Sequence, residues 1–138
     1  MNILKKFAAV LVLVGFISIA WMGVASAHSF HTGNSVTLSN QEAVYQTVFA
    51  AGKSIDINNE VFGDVFCAGQ TVHVTGTVHG DVICAGQTLV ISGTIDGDVR
   101  LAGQDILLNA AVAGNATIGG QNFTLSSGAK VGGDMTVG

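Results

Sequence analysis

The sequence has no proline and is poor in charge. Only 10% of its 138 residues are charged, whereas 49% are hydrophobic and 19 are glycine. Low charge with abundant glycine is unusual for a free globular surface and common in tightly wound β repeats. Because the glycines recur at regular intervals, the composition does not favour a low-complexity or disordered chain. The length is that of a single domain.

Basic residues are especially scarce after the N-terminal segment. Beyond residue 27 the chain has three cations, Lys53, Arg100 and Lys130, against nine acids, a net charge of −6. Such a surface disfavours binding to nucleic acid and to anionic lipid headgroups. The sequence also lacks a nucleophile elbow, a phosphate loop, zinc-ligand spacing and paired catalytic carboxylates. A protein without enzymatic activity, metal or cofactor is therefore predicted.

The N-terminal segment, residues 1–27, has a composition of its own. Lys5 and Lys6 precede an uncharged apolar run over residues 7–24, and Ala25-Ser26-Ala27 supplies the small residues of a cleavage site. This pattern predicts a secretory signal peptide over residues 1–27. An uncleaved membrane anchor is the alternative, because about 20 apolar residues can span a bilayer. Either interpretation places the rest of the chain outside the cytoplasm, in the cell envelope or secreted.

A 17-residue unit recurs through most of the chain. An Ala-Gly-Gln signature, with variants at its two ends, starts at residues 51, 68, 85, 102 and 119. A Gly-Asp-Val signature starts at residues 63, 80 and 97, becomes Gly114-Asn115-Ala116, and returns two residues late at Gly133. A fixed period of this length is typical of a solenoid in which each turn contacts only its neighbours.

The aligned repeats contain columns of apolar residues two positions apart, which is the period of a β-strand. The predicted core columns are Val65, Val82 and Val99; Val72, Leu89 and Ile106; and Val74, Ile91 and Leu108. His73 and Arg100 alternate with them and should point outward. Two short strands and a third, shorter side are expected in each turn, with glycines such as Gly76 and Gly80 at corners whose conformation a Cβ resists. The predicted fold class is therefore all-β, a single-domain, three-sided parallel β-helix.

Three further columns carry polar or sulfur side chains. An amide ladder is predicted for Gln70, Gln87, Gln104 and Gln121. The column Asp64, Asp81, Asp98 and Asn115 is interpreted as side chains that bond local backbone in turns, with a calcium site as the alternative. Cys67 and Cys84 share an inward column, where either a disulfide or two buried thiols would fit. His73 and His79 have no evident partner column, so no histidine site is predicted.

The ends of the repeat array are expected to differ from its centre. Leu38 and Val44 lie one repeat period before Ile55 and Val61, so residues 28–45 are predicted to form a leader with a partial, frayed turn. The β-helix domain is assigned to residues 46–138. At its far end Met135 and Val137 continue two core columns. Together with Leu125 they form the predicted assembly end, because an open parallel edge backed by aliphatic side chains is a template for another chain.

Residues 63–104, with the run GDVFCAGQTVHVTGTVHGDVICAGQTLVISGTIDGDVRLAGQ, resemble the bactofilins, a polymer-forming β-helix family of bacteria. The wider match covers about residues 46–138. The resemblance implies a right-handed β-helix that associates end to end into non-polar filaments without nucleotide, and a role in cell shape, envelope scaffolding or protein anchoring. The export signal and the absence of proline differ from typical cytoplasmic bactofilins with proline-rich tails, so the chain is more similar to exported relatives.

Three functional hypotheses follow, of which the third, an enzyme, would require a groove or an inter-subunit site that this short chain with few loops does not indicate. The first is a non-catalytic structural protein of the bacterial envelope or exterior whose partner is a second copy of itself. The second is an exported binding module that displays a flat face, with Phe49, Phe66 and Ile83 as its patch, to a wall polymer, a glycan or a protein. Membrane contact is expected only through residues 7–24, if they are retained, and no nucleic-acid partner is expected.

Overall fold

The computed structural model describes residues 28–39 and 42–138, so the predicted signal peptide or anchor over residues 1–27 lies outside the described residues. The described residues form eleven β-strands and contain no helix. Within this part of the chain there is accordingly no helical segment able to cross a membrane. The strands are, in chain order, β1 (Ser29–Leu38), β2 (Val48–Ile57), β3 (Val65–Val74), β4 (Thr77–Val78), β5 (Val82–Ile91), β6 (Thr94–Ile95), β7 (Val99–Leu108), β8 (Ala111–Val112), β9 (Ala116–Leu125), β10 (Lys130–Val131) and β11 (Met135–Val137).

All paired strands are parallel and stack in two sheets. The seven-stranded sheet has the order β1-β2-β3-β5-β7-β9-β11, and the four-stranded sheet has the order β4-β6-β8-β10. From β2 to β9, partners on neighbouring strands are one repeat period apart, as in Val48 with Val65 and Val65 with Val82. One sequence repeat is therefore one turn. The predicted all-β parallel solenoid is confirmed, with about six turns.

The core of the solenoid is a stack of aliphatic side chains. The residues of the three predicted core columns are all at most 2% exposed: Val65, Val82, Val99, Val72, Leu89, Ile106, Val74, Ile91 and Leu108. The short strands β4, β6 and β8 and the bridge residue Val61 close the core with a further buried column, Val61, Val78, Ile95 and Val112. Because equivalent residues sit in register, each side chain packs on its counterparts in the turns on either side.

Each long strand changes its facing pattern at its centre. In β3 the residues Val65, Cys67, Val72 and Val74 are buried, so the alternation of inward and outward residues shifts phase between Cys67 and Val72. The pairing of Cα atoms with β2 and β5 is also interrupted at Gln70. The prediction of two separate short strands is therefore wrong in this detail. One ten-residue strand passes through the position of the corner without ending.

Glycine is required where successive turns approach each other closely. A Cβ on Gly103 would lie 2.5 Å from the carbonyl oxygen of Gly86, and one on Gly120 would lie 2.7 Å from that of Gly103. A Cβ on Gly80 would collide with the Asp64 carboxylate of the preceding turn. No described glycine has a positive φ. The expectation that glycines serve unusual backbone conformations is thus wrong, and at Gly80, Gly103 and Gly120 their role is steric.

The first turn is more complete than predicted. The whole of β1 is a continuous strand. Its residue Leu38 pairs with Ile57, which is two positions beyond one repeat period. Val44, by contrast, pairs with Val61 at the regular period. Five residues separate Leu38 from Val44, against three between Ile57 and Val61, so this turn holds a two-residue insertion. The solenoid therefore begins within the segment assigned as a leader, before residue 46.

The two cysteines are joined in a disulfide between consecutive turns. The Cα atoms of Cys67 and Cys84 are 4.6 Å apart, and both residues are buried. This distance is within the range that a disulfide accepts and matches the spacing of parallel strands. Of the two alternatives left open by the sequence, the structure has the disulfide.

A charge in the aliphatic stack should prevent folding. Ile91 is fully buried, and Ile91→Asp would place an unpaired carboxylate there at a cost of several kcal/mol. Circular dichroism should then detect loss of the β spectrum. His73→Ala is the control, since this outward side chain is 44% exposed and its removal should change the free energy of unfolding by less than about 0.5 kcal/mol. An equal loss of stability in the two variants would show that the inward and outward faces of the strands are assigned the wrong way round.

Alkylation should report the position and the state of the cysteines. In the native protein Cys67 and Cys84 should not react with a thiol reagent, and after unfolding they should react only if the disulfide is first reduced. Mass spectrometry of labelled protein measures both steps. Rapid labelling of the native, unreduced protein would be incompatible with this pairing.

Candidate functional site

The column of Asp and Asn residues links each turn to the next. The backbone N–H of Asp81 donates to Asp64 Oδ1 at 2.9 Å, and the N–H of Asp98 donates to Asp81 Oδ1 at 2.8 Å. The same bond joins Asn115 to Asp98 and Asp134 to Asn115, each at 2.8 Å. These side chains were expected to bond backbone within their own turn. They bond the backbone of the following turn instead, because the strand spacing brings that N–H within reach.

One carboxylate of this column, that of Asp98, also has a charged partner. Arg100 Nη2 lies 3.7 Å from Asp98 Oδ2. Among the described residues, no three His, Cys, Asp or Glu side chains are placed to hold a metal ion together. The hydrogen bonds of the column give it a structural role, since they fix the register of one turn on the next.

A stack of phenylalanine rings runs along the outer surface of the first turns. The ring centroids of Phe30 and Phe49 are 5.1 Å apart and those of Phe49 and Phe66 are 5.0 Å apart, with 9° between the planes in both pairs. Stacked in this way, Phe49 has both faces covered by its neighbours. Phe49 and Phe66, with Ile83 in the next turn, had been predicted as a binding patch. The geometry leaves mainly ring edges to a partner approaching from the side.

A second stack ends in a histidine. The rings of Tyr45 and Phe62 are 4.9 Å apart, and those of Phe62 and His79 are 4.5 Å apart, with interplanar angles of 6° and 17°. The expectation that His79 has no partner column is therefore wrong. Tyr45, Phe62 and His79 are each one repeat period apart, so the sequence contained this signal. Because these side chains point outward, the periodicity of apolar, inward residues does not identify them.

Two carboxylates hold the His79 ring in its plane. Nδ1 lies 2.6 Å from Asp96 Oδ2, and Nε2 lies 2.8 Å from Glu60 Oε1. Hydrogen bonding to Glu60, and then to Asp96, raises the pKa of His79 above its ordinary value of 6.5. Glu60 lies 19 residues before His79, two more than the repeat period, so it does not fall in the His79 column of the aligned repeats. Column alignment alone could therefore not have found this contact. By comparison, His73 Nδ1 is 3.7 Å from Asp56.

The glutamine column occupies the interrupted position of the long strands. Gln70, Gln87, Gln104 and Gln121 are exposed and in register. The hydrogen bonds of the described side chains include none between these amides. The amide ladder therefore stays a prediction.

The predicted assembly end lies at an incompletely paired edge. Strand β11 pairs with β9 only from Met135 to Val137, so the second half of β9 has a neighbour on one side alone. Leu125, Met135 and Val137 are 46%, 43% and 48% exposed, although equivalent residues in the central turns are buried. The other large exposed hydrophobic residues, Phe30, Tyr45 and Phe62, belong to the first turns. Among the described residues, the large exposed hydrophobic side chains thus lie in the first and the last turns.

Removing one acceptor from the Asp column should loosen the stack. Asp81→Ala leaves the half-buried N–H of Asp98 without its partner, and we expect a loss of about 1–3 kcal/mol in the free energy of unfolding. Asp81→Asn keeps an acceptor oxygen, as Asn115 does for Asp134, and should stay within about 0.5 kcal/mol of the parent. Denaturant titration measures both. An unchanged Asp81→Ala variant would refute the structural role of the column.

Comparison of the chain with protein-family models, with curated proteins and with solved structures found no match. The similarity to bactofilins therefore rests on the repeat sequence alone. Function has to be inferred from the geometry of the described residues.

Proposed function

We propose that the chain is a non-catalytic structural protein of the bacterial envelope or exterior that polymerises end to end without nucleotide. Its fold is taken to be the right-handed, three-sided β-helix of a bactofilin-like protein. The observation that carries the proposal is the exposed aliphatic edge formed by Leu125, Met135 and Val137. The 17-residue repeat and the predicted signal peptide support the assignment to an exported relative of that family.

The physical drive for assembly comes from the same columns that hold the central turns together. Joining a second copy at the edge would bury the three exposed side chains and pair backbone groups of β9 and β11. Apolar burial contributes about 25 cal/mol per Å². Because burial and strand pairing need no charge contact, assembly should tolerate salt. A bound nucleotide has no part in this drive.

The alternative proposal is a binding module that uses the side of the solenoid. Its support is a shallow apolar groove lined mainly by Phe30, Phe49 and Phe66 and by the small residues Ala51 and Ala68. A wall polymer, a glycan or a protein segment lying along the axis would contact ring edges there. In this arrangement the protein would act as a monomer.

Substitution at the edge should separate the two proposals. We expect residues 28–138 to form fibres or stacked oligomers in electron microscopy and analytical ultracentrifugation, with little change at high salt. Leu125→Lys and Val137→Lys should each block elongation, because a charge would have to be buried at the joint. Central turns should stay folded by circular dichroism, since both positions lie in the last turns.

A lysine on the side of the solenoid is the matched control. Thr94 is exposed in β6, in the middle of the stack, so Thr94→Lys adds the same charge away from the edge and should still assemble. Loss of assembly in this variant as well would indicate a general charge effect. If the parent protein stays monomeric at high micromolar concentration, end-to-end assembly is wrong and the binding module replaces it.

A further inference from the structure

The side chains around His79 form a cluster that neither proposed function uses. We propose that Glu60, His79 and Asp96 are a pH-operated clasp that locks consecutive turns of the solenoid while the imidazole ring carries both of its protons. The clasp closes in mildly acidic solution and opens as the solution becomes alkaline.

Hydrogen-bond stoichiometry determines which state closes the clasp. Both ring nitrogens of His79 lie within hydrogen-bond distance of a carboxylate oxygen, at 2.6 Å from Asp96 and 2.8 Å from Glu60. An ionised carboxylate only accepts hydrogen bonds, and a neutral imidazole has a single N–H to donate. Only the imidazolium form donates to both carboxylates at once. Loss of one proton therefore removes one of the two bonds.

Stacking of an aromatic ring on the face of His79 also favours the protonated form. Phe62 is stacked on it with 4.5 Å between centroids and is itself stacked on Tyr45. A cation above an aromatic face is attracted by the negative charge of the π system. The protonated ring thus has an acceptor at each nitrogen and an aromatic neighbour below it.

The position of the cluster determines what it locks. His79 follows β4, Asp96 follows β6, and Glu60 precedes Val61, which bridges to Val44 and Val78. On this side of the solenoid β4 and β6 pair over only two residues per strand, whereas the long strands pair over nine. Side-chain bonds between turns therefore have most effect here, where the backbone offers fewest.

The surrounding charges favour opening when the proton is lost. Glu60 and Asp96 are the charged groups that face the ring. The Asp64, Asp81 and Asp98 carboxylates lie farther along their turns and accept backbone N–H groups. Arg100 is beside Asp98, and among the described residues no ion pair joins Lys53, Arg100 or Lys130 to Glu60 or Asp96. Deprotonation then leaves two carboxylates on either side of a neutral ring.

The direction of the pH effect follows from the raised pKa of His79. A group that holds its proton more tightly when folded stabilises the folded state fully below its unfolded pKa of about 6.5. That contribution is lost as the pH rises through the higher folded value. Above it, the turns around β4 and β6 should open more often.

Proton NMR of the full-length protein in mild detergent tests the clasp directly. A titration from about pH 5.5 to about pH 8.5 covers the range in which histidine changes charge. We expect the midpoint of the His79 ring signal to lie above the ordinary histidine value of about 6.5. Glu60→Gln should move that midpoint down, because the amide keeps the contact and removes the negative charge. A His79 midpoint at or below that ordinary value would overturn the proposal.

Unfolding experiments give the functional readout. Across the same pH range, the midpoint of chemical unfolding should fall in the parent as the pH rises, and amide exchange near His79 and Asp96 should accelerate beyond its intrinsic pH dependence. In the His79→Gln variant, the unfolding midpoint should fall less with rising pH and amide exchange should accelerate less, because the clasp no longer contributes to either change. His73→Gln is the matched control and should keep them. If the His79→Gln variant retains the full pH dependence of the parent, the clasp does not exist.

Discussion

The close, in-register stacking of identical turns is the constraint on which the whole structure depends. Strands spaced by about 4.8 Å leave no room for a side chain between their backbones. Glycine is therefore required at positions such as Gly80 and Gly103, where a Cβ would meet the preceding turn. The same spacing places each core residue on its own equivalent, so an aliphatic column continues without a gap through the central turns. One repeated contact thus determines both the composition and the packing of the chain.

Side chains that bond along the axis reinforce this stacking in three different ways. The Asp column uses oxygen acceptors for backbone N–H groups of the next turn. The two aromatic columns stack ring on ring at 4.5 to 5.1 Å, and the disulfide joins Cys67 to Cys84 covalently. All three connect residues in neighbouring turns. Local stability therefore depends on neighbours above and below, as expected of a repeat protein.

The same dependence explains why the ends differ in character from the centre. A terminal turn has one neighbour, so residues that occupy buried columns elsewhere become exposed, as Leu125 and Val137 do. The proposed self-assembly would restore the missing neighbour. The proposed clasp at His79 acts within the stack instead and concerns the side where backbone pairing is shortest. Assembly and pH response would thus use separate parts of the molecule.

The sequence by itself determined the period, the core columns and the parallel β architecture, because a 17-residue repeat with two-residue apolar spacing fits few other folds. It also identified the cysteine pair but left its bond open, since spacing alone does not fix side-chain geometry. The two-residue insertion in the last turn was visible from the delayed signature at Gly133. The insertion in the first turn was not visible, because no such signature precedes Gly63.

Only the tertiary structure decided the contacts that depend on distance between turns. In the structure the Asp64 carboxylate accepts a hydrogen bond from the backbone N–H of Asp81 in the next turn, and not from a backbone N–H of its own turn. The tertiary structure also brought Glu60, which is out of step with the repeat period, to the His79 ring. Sequence periodicity gives the column in which a residue lies, whereas the direction and reach of its side chain are set by the packed neighbours. That is the physical reason why the fold could be predicted and the contact between Glu60 and His79 could not.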